Sequence, residues 1–293
     1  LLRVIGEPKA PIKIIFFTTV QNILLDLLFV GALDLRAAGA ALATILSQIT
    51  SLCLIAYVCT HRFELYRFSR KSIRIDITIL KPILKVGAPQ ILQFTSTNAS
   101  FLVLGSLVNV YGVAASAAAG AVTKIWNFSV LPGQAMMSAL VSVSAQNLPD
   151  KKYDRILKSF FCGASIVAGI ALVVTLFCEL TPAAMLSLFT SDAEVINAGI
   201  GYLRLYAVGF IVENVMFCMY APLMGAGLTL VQMSCALVNS CIVRLFVAWL
   251  LSSFTSLGFQ GLALAFSAAP YVSVIITAPF LITGKWKVNH VRV

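Results

Sequence analysis

Again and again along this chain an apolar stretch returns that is long enough to cross a bilayer. Eight such runs can be placed, at about 12–33, 37–59, 83–108, 113–145, 156–180, 195–223, 228–251 and 258–282. About 20 apolar residues span the hydrocarbon core as a helix, because every backbone N–H and C=O must be satisfied within the segment. A transmembrane β-barrel would instead show alternating segments of about ten residues, and none is present. With 60% hydrophobic and 11% charged residues and a mean hydropathy of +0.96, the chain lies far from a soluble domain, about one quarter of which is charged. The expected fold class is an all-α polytopic membrane protein with eight transmembrane helices.

The net charge of +10 does not point to nucleic acid, because the bases lie in the connectors. If the first residues are cytoplasmic, the connectors on that side hold 17 of the 21 Lys and Arg, while the outer loops hold only Arg36. The positive-inside rule then places both termini of the chain in the cytoplasm. The densest basic stretch, 61–82, divides residues 1–60 from 83–293, and its aromatics Phe63, Tyr66 and Phe68 suggest a segment lying on the membrane surface. The seven cysteines are odd in number, contain no CxxC and read as small buried hydrophobes. No metal site is expected, His61 and His290 being in basic connectors. No HExxH or GxSxG is present, so no enzyme is indicated.

One apolar run carries an acid. In the stretch from Gln21 to Thr44, Asp26 lies inside the first span, and Asn22 one helical turn earlier shares its face. A carboxyl at that depth is expensive and is functional by default. Desolvation raises its pKa and opening to water lowers it, so its protonation can follow conformation. The alternative is that Asp26 only hydrogen-bonds a neighbouring helix. Glu213 is a second intramembrane acid, which an ion pair with Lys124 or Arg244 would explain structurally. Lys124, Arg204 and Arg244 also fall within spans, where each should meet an acid, backbone carbonyls or the interface. Trp126, Phe128 and Met136–Met137 are candidates to line a cavity for flat molecules. Pro132–Gly133 and Pro270 are candidate hinges, since proline frees a carbonyl and permits a bend.

The chain also echoes itself. Gly39–Ala43 matches Gly261–Ala265, an offset of 222 residues; upstream, residues 22–30 line up with 240–248 at an offset of 218, which pairs Asp26 with Arg244 and implies a four-residue insertion in the outer loop. Two spans, a basic connector and six spans ending in a copy of the first two suggest parallel six-span repeats. On that reading four spans precede Leu1.

Together these residues resemble the multidrug and toxic compound extrusion (MATE) transporters of the multidrug/oligosaccharidyl-lipid/polysaccharide exporter superfamily. Leu2–Arg3, Gly6, Lys9 and Pro11 resemble the loop before that family's fifth helix, Asn22–Asp26 the helix itself, and Gly39–Thr44 the start of the sixth. Pro89, Lys124, Gln146–Asn147, Tyr202–Arg204 and Gly225–Gly227 resemble features of the seventh, eighth and tenth helices. Leu148–Asp150, Met224 and Leu228 depart from the pattern. The resemblance implies a two-lobe, six-plus-six helix architecture around a central cavity. It implies a secondary antiporter that exports organic cations, drugs or other amphipaths in exchange for protons or sodium ions, without a cofactor. It gives Asp26, Asn22 and Thr44 to an ion site of the amino-terminal lobe, and Glu213 to an acidic position of the tenth helix, with sodium conceivable at Asp26 or Glu213. A monomer in the cell membrane is expected. A flippase for a lipid-linked oligosaccharide or polysaccharide precursor is the alternative; its cavity would need several bases facing a pyrophosphate.

Overall fold

A computed structural model describes residues 9–62 and 76–287. No strand occurs among them, and the chain forms two compact units, Leu1–Asp76 and Ile77–Val293. Most of the predicted connector, with its three aromatics, and the motif residues Leu2, Arg3 and Gly6 lie outside the described residues.

The first unit is a helical hairpin. Helix α1 (Lys9–Asp26) runs on through a π-helical turn, Leu27–Ala32, and reverses into α2 (Arg36–Arg62). The corner is tight because Gly39 lets α2 approach the backbone of Phe29. A Cβ there would stand 3.0 Å from the Phe29 carbonyl carbon. Small residues serve this purpose wherever membrane helices touch, since lipid tails give no hydrophobic drive for association. Deeper in, Gln21 Nε2 donates to Thr50 Oγ1 at 3.1 Å and ties the two helices.

The second unit begins with α3 (Ile77–Asn109), ahead of the predicted start at 83. It continues through α4 (Val113–Asn147), α5 (Tyr153–Leu180), a short α6 (Pro182–Ser187), α7 (Ala193–Ala207) and α8 (Phe210–Gly225). Then follow α9 (Thr229–Leu237), a π-helical turn (Val238–Val243), α10 (Arg244–Phe254) and α11 (Phe259–Ile282). Among the described residues of both units, seven helices are of membrane length, or eight if a bent pair counts as one span. The predicted run 195–223 forms the bent pair α7 and α8, which deviate by 41°. The bend is possible because Gly209 sits on the backbone of α11; a Cβ there would come within 2.7 Å of Ser267 Cα.

Helix α4 is the central strut, packed on α5, α7 and most extensively on α8. The main core forms where α4, α7, α8 and α11 meet, around Val122, Leu203, Phe210 and Leu262. Tyr202 stacks on Phe259 and Tyr206 on Phe266, with ring centroids 4.4 and 4.8 Å apart. Large apolar side chains also face outward, among them Leu102 and Ile275, as a hydrocarbon solvent allows. For the same reason the cysteines are not uniformly buried as the sequence suggested: Cys178, Cys218 and Cys235 are, but Cys53 and Cys162 are exposed. Lipid accepts a thiol as readily as a core does.

The internal echo has a structural counterpart in the corner between α10 and α11. Gly261 meets Leu251 there as Gly39 meets Phe29 in the first unit, a Cβ falling 3.0 Å from the Leu251 carbonyl carbon. Phe29 and Leu251, like Ala32 and Phe254 at the helix ends, keep the 222-residue offset of the glycines. The four-residue insertion is therefore not present. By that offset Asp26 corresponds to Ala248, and Arg244 stands one turn earlier in its helix, farther from the corner.

Candidate functional site

Within the second unit, α3, α4, α8 and the π turn before α10 enclose a cavity of about 500 Å³. Glu213 enters it from the first turn of α8, just past the bend, and is buried at 6% exposure. Its Oε2 accepts a hydrogen bond from Trp126 Nε1 of α4 at 2.7 Å. The structural alternative for Glu213, an ion pair with Lys124 or Arg244, does not form; ion pairs elsewhere include Arg36–Asp34, Lys152–Asp150 and Arg204–Glu179. The reason is placement. Lys124 is exposed on the other side of α4, its Nζ 5.8 Å from the Phe189 ring centroid. Arg204 reaches Glu179 at 4.0 Å in a half-exposed pair. Arg244 does line the cavity, at 4% exposure, but it rests against the packed ring pair of Phe101 and Phe266, 5.1 and 5.0 Å from their centroids. A flat, weakly hydrated guanidinium finds in two aromatic faces a partner the sequence did not suggest.

The remaining polar lining is neutral. Gln93, Thr97 and Asn98 of α3 face the cavity, and the Gln93 Oε1 accepts from Gln232 Nε2 at 2.9 Å. Asn239, in the π turn, donates to the Met216 sulfur at 3.4 Å, while its carbonyl oxygen is buried without a partner. Of the residues proposed to line a cavity, Trp126 does so. Met137 borders a neighbouring recess with Gln93 and Tyr220. Phe128 instead points outward at 67% exposure, and Met136 packs on Gly163 of α5.

The hinge candidates lie inside unbroken helices, α4 for Pro132–Gly133 and α11 for Pro270. Proline at 132 removes one rung of the α4 ladder. Asn214 of α8 braces that turn, its Nδ2 donating to the Ser129 carbonyl at 3.1 Å and to Phe210 of its own helix. Gly133 admits this contact, since a Cβ would fall 2.5 Å from Asn214 Oδ1 and 3.1 Å from its Cα.

In the first unit Asp26 ends α1 and opens the π turn. It is half-buried, and its Oδ1 is shut away without a hydrogen-bond partner. Asn22 Nδ2, one turn earlier, is in the same condition, as is the Gln21 side-chain oxygen. The structure thus gathers Gln21, Asn22 and Asp26 into a run of unmet polar atoms. Thr44 does not join it: the hydroxyl is exposed and donates to the Ala40 carbonyl at 2.9 Å. Both candidate ionisable sites adjoin a π-helical turn, which follows Asp26 and precedes Arg244. Such turns are concentrated at functional positions of helices.

A bundle of membrane-length helices that sets Glu213 and Arg244 around an internal cavity is the architecture of a polytopic membrane protein with an intramembrane site. The chain belongs to the MatE family, which matches residues 89–250. A probable multidrug resistance protein, YpnP, of Bacillus subtilis is 28% identical over 293 residues, covering 98% of this chain and 64% of the relative. The probable multidrug resistance protein NorM of Thermotoga maritima is 22% identical, over 98% and 62%. Among solved structures, MATE in complex with MaD3S superposes with a TM-score of 0.87 at 21% identity, covering 98% of this chain and 64% of that one. The chain thus spans less than two thirds of the length of these relatives.

Proposed function

We propose that the chain is part of a secondary antiporter that exports organic cations and other amphipaths in exchange for protons by alternating access. The observation that carries this reading is Glu213, an acid buried in a cavity walled by Trp126, Phe94 and Phe217, held by one neutral donor and by no cation in ion-pair contact. Such a group can hold a proton in one state and give it up, or exchange it for a cationic substrate, in another. Asp26, with Asn22 beside it, supplies a second carboxyl with an unpartnered oxygen. The relatives' names as multidrug resistance proteins agree with this direction of transport. The lipid-linked sugar flippase is less well supported: among the described lining residues the cavity has one base, offset by one acid, where a pyrophosphate would call for several. The protein acts as a monomer in the cell membrane with both ends of this chain in the cytoplasm.

The test is Asp26→Asn in the complete transporter, with drug resistance of cells and membrane abundance measured together. Resistance is expected to disappear at unchanged abundance. Retained resistance would remove Asp26 from the mechanism.

A further inference from the structure

Independently of the exporter reading, we propose that the end of the second unit where α11 finishes holds one anionic phospholipid, its phosphate met by Arg155, Lys158 and Lys287 and its acyl chain lying along Phe161. The groove for the chain runs between α5, α8 and α11 and has a volume of about 380 Å³. Phe160, Phe161, Met219 and Leu281 are among its walls, and Lys287 lines it too. Phe161 and Ile282 are exposed, so the groove opens outward and not into the bundle. The bases continue it. On α5, Arg155, Lys158 and Phe161 are spaced i, i+3 and i+6 and form one row on the helix surface. That row passes from charge to ring within two turns. Lys151, Arg155 and Lys158 share an open basin with Asp154, three bases to one acid; Lys152, also in the basin, is paired with Asp150 at 2.8 Å.

The chain after α11 is built to bring Lys287 to this place. Gly284, at φ +68°, turns it into a 3₁₀ turn, Lys285–Lys287. Trp286 is fully buried there, its Nε1 donating to the Leu281 carbonyl at 3.1 Å and its ring meeting Tyr153 of α5 edge-on at 6.0 Å. Tyr153 Oη donates to the Lys287 carbonyl at 3.1 Å, and Lys287 Nζ lies 5.4 Å from the Tyr153 ring centroid. A base that only obeyed the positive-inside rule would need no such anchoring. The occupant must satisfy both groove and bases. A soluble anion leaves the groove bare. A phospholipid without net charge brings its own cation against the bases, and a second copy of this chain paired face to face would set one basic patch against another. An anionic phospholipid covers both, and basic pockets beside transmembrane helices are where such headgroups settle.

Native mass spectrometry of the complete, detergent-purified protein, titrated with phosphatidylglycerol or with phosphatidylcholine of the same acyl chains, tests this. The wild type is expected to retain a first phosphatidylglycerol several-fold more tightly than phosphatidylcholine. Lys158→Gln with Lys287→Gln should weaken phosphatidylglycerol roughly tenfold or more, the size of two lost surface attractions, and leave phosphatidylcholine within about twofold. Lys81→Gln with Lys85→Gln removes the same charge from exposed positions of α3 and should change neither lipid by more than about twofold. Equal loss in the two double variants would reduce the effect to diffuse attraction and overturn the proposal, as would a wild type without preference. Ala278→Phe fills the groove and should weaken both lipids with the bases intact. If that variant does not fold, Phe161→Ala at an exposed wall position decides. Unchanged retention in the variant that decides overturns the groove. Glycerol 3-phosphate in millimolar excess should not displace the lipid; displacement would make this a site for soluble phosphate and overturn the lipid assignment.

Discussion

At the scale of single residues, the chain places its intramembrane charges by three different means. Arg204 finds an acid, Arg244 finds two rings, and Glu213 finds an indole N–H. Only the presence of these charges was legible in the sequence. A lone charge in an apolar run announces itself, but its partner lies on another helix far along the chain, and no periodicity carries that information. Asp26 and Asn22 were legible together because they share one helix face; Gln21 and Thr50 were not, because their bond crosses between helices. Gly133 shows the same limit. It reads as half of a hinge motif, yet its measurable role is to admit Asn214. Gly133→Ala should therefore destabilise the protein by about 1–3 kcal/mol, the usual penalty for overpacking, with a lower thermal midpoint in detergent. Gly120→Ala on the same helix is the control, since a Cβ there meets nothing within 4 Å. Its midpoint should hold or rise slightly, as helix propensity favours alanine. Equal midpoints for the two variants would show that the α4–α8 contact yields without strain.

At the scale of elements, the spans were readable to within a few residues because length and apolarity alone decide them. The run 228–251, for instance, became Thr229–Phe254. Their interruptions were not readable. The π turns at Leu27–Ala32 and Val238–Val243 and the 41° break between α7 and α8 depend on what the neighbouring helix presents. The prolines, which the sequence does advertise, sit in helices that run on through them. The break matters because it sets the start of α8, and so the entry of Glu213 into the cavity. It rests on Gly209 lying against the α11 backbone, where no side chain can give way. Gly209→Ala should push α8 from α11, lowering the thermal midpoint and weakening binding of a cationic dye together. Val208→Ala, at a half-exposed neighbour, should do neither. A Gly209→Ala protein with wild-type dye affinity would mean that the break does not position Glu213.

At the scale of the whole molecule, the repeat and the charge distribution were both visible in the sequence, one as a short Gly/Ala echo and the other as connector composition. The echo was placed correctly at the glycines and wrongly upstream, because an acid and an arginine invite pairing by eye while the helix ends fix the true offset. At matching positions of the two hairpins Asp26 stands in one and Ala248 in the other, so the two carry different chemistry. On the proposed exporter reading, the coupling ion is set by what these sites can hold. A hard cation needs several oxygens converging on it, whereas a proton needs one carboxyl. Among the described residues no three of Asp, Glu, His and Cys come together; Glu213 is held by an indole N–H, and the only oxygens lining its cavity are neutral ones from amides, hydroxyls and backbone carbonyls. In proteoliposomes of the complete transporter, dye efflux driven by an imposed pH gradient should exceed that driven by an equal sodium gradient several-fold. Glu213→Gln should reduce the pH-driven component. Efflux that follows the sodium gradient instead would require an oxygen cage to assemble around one of these carboxylates in another conformation, and would reassign the coupling ion.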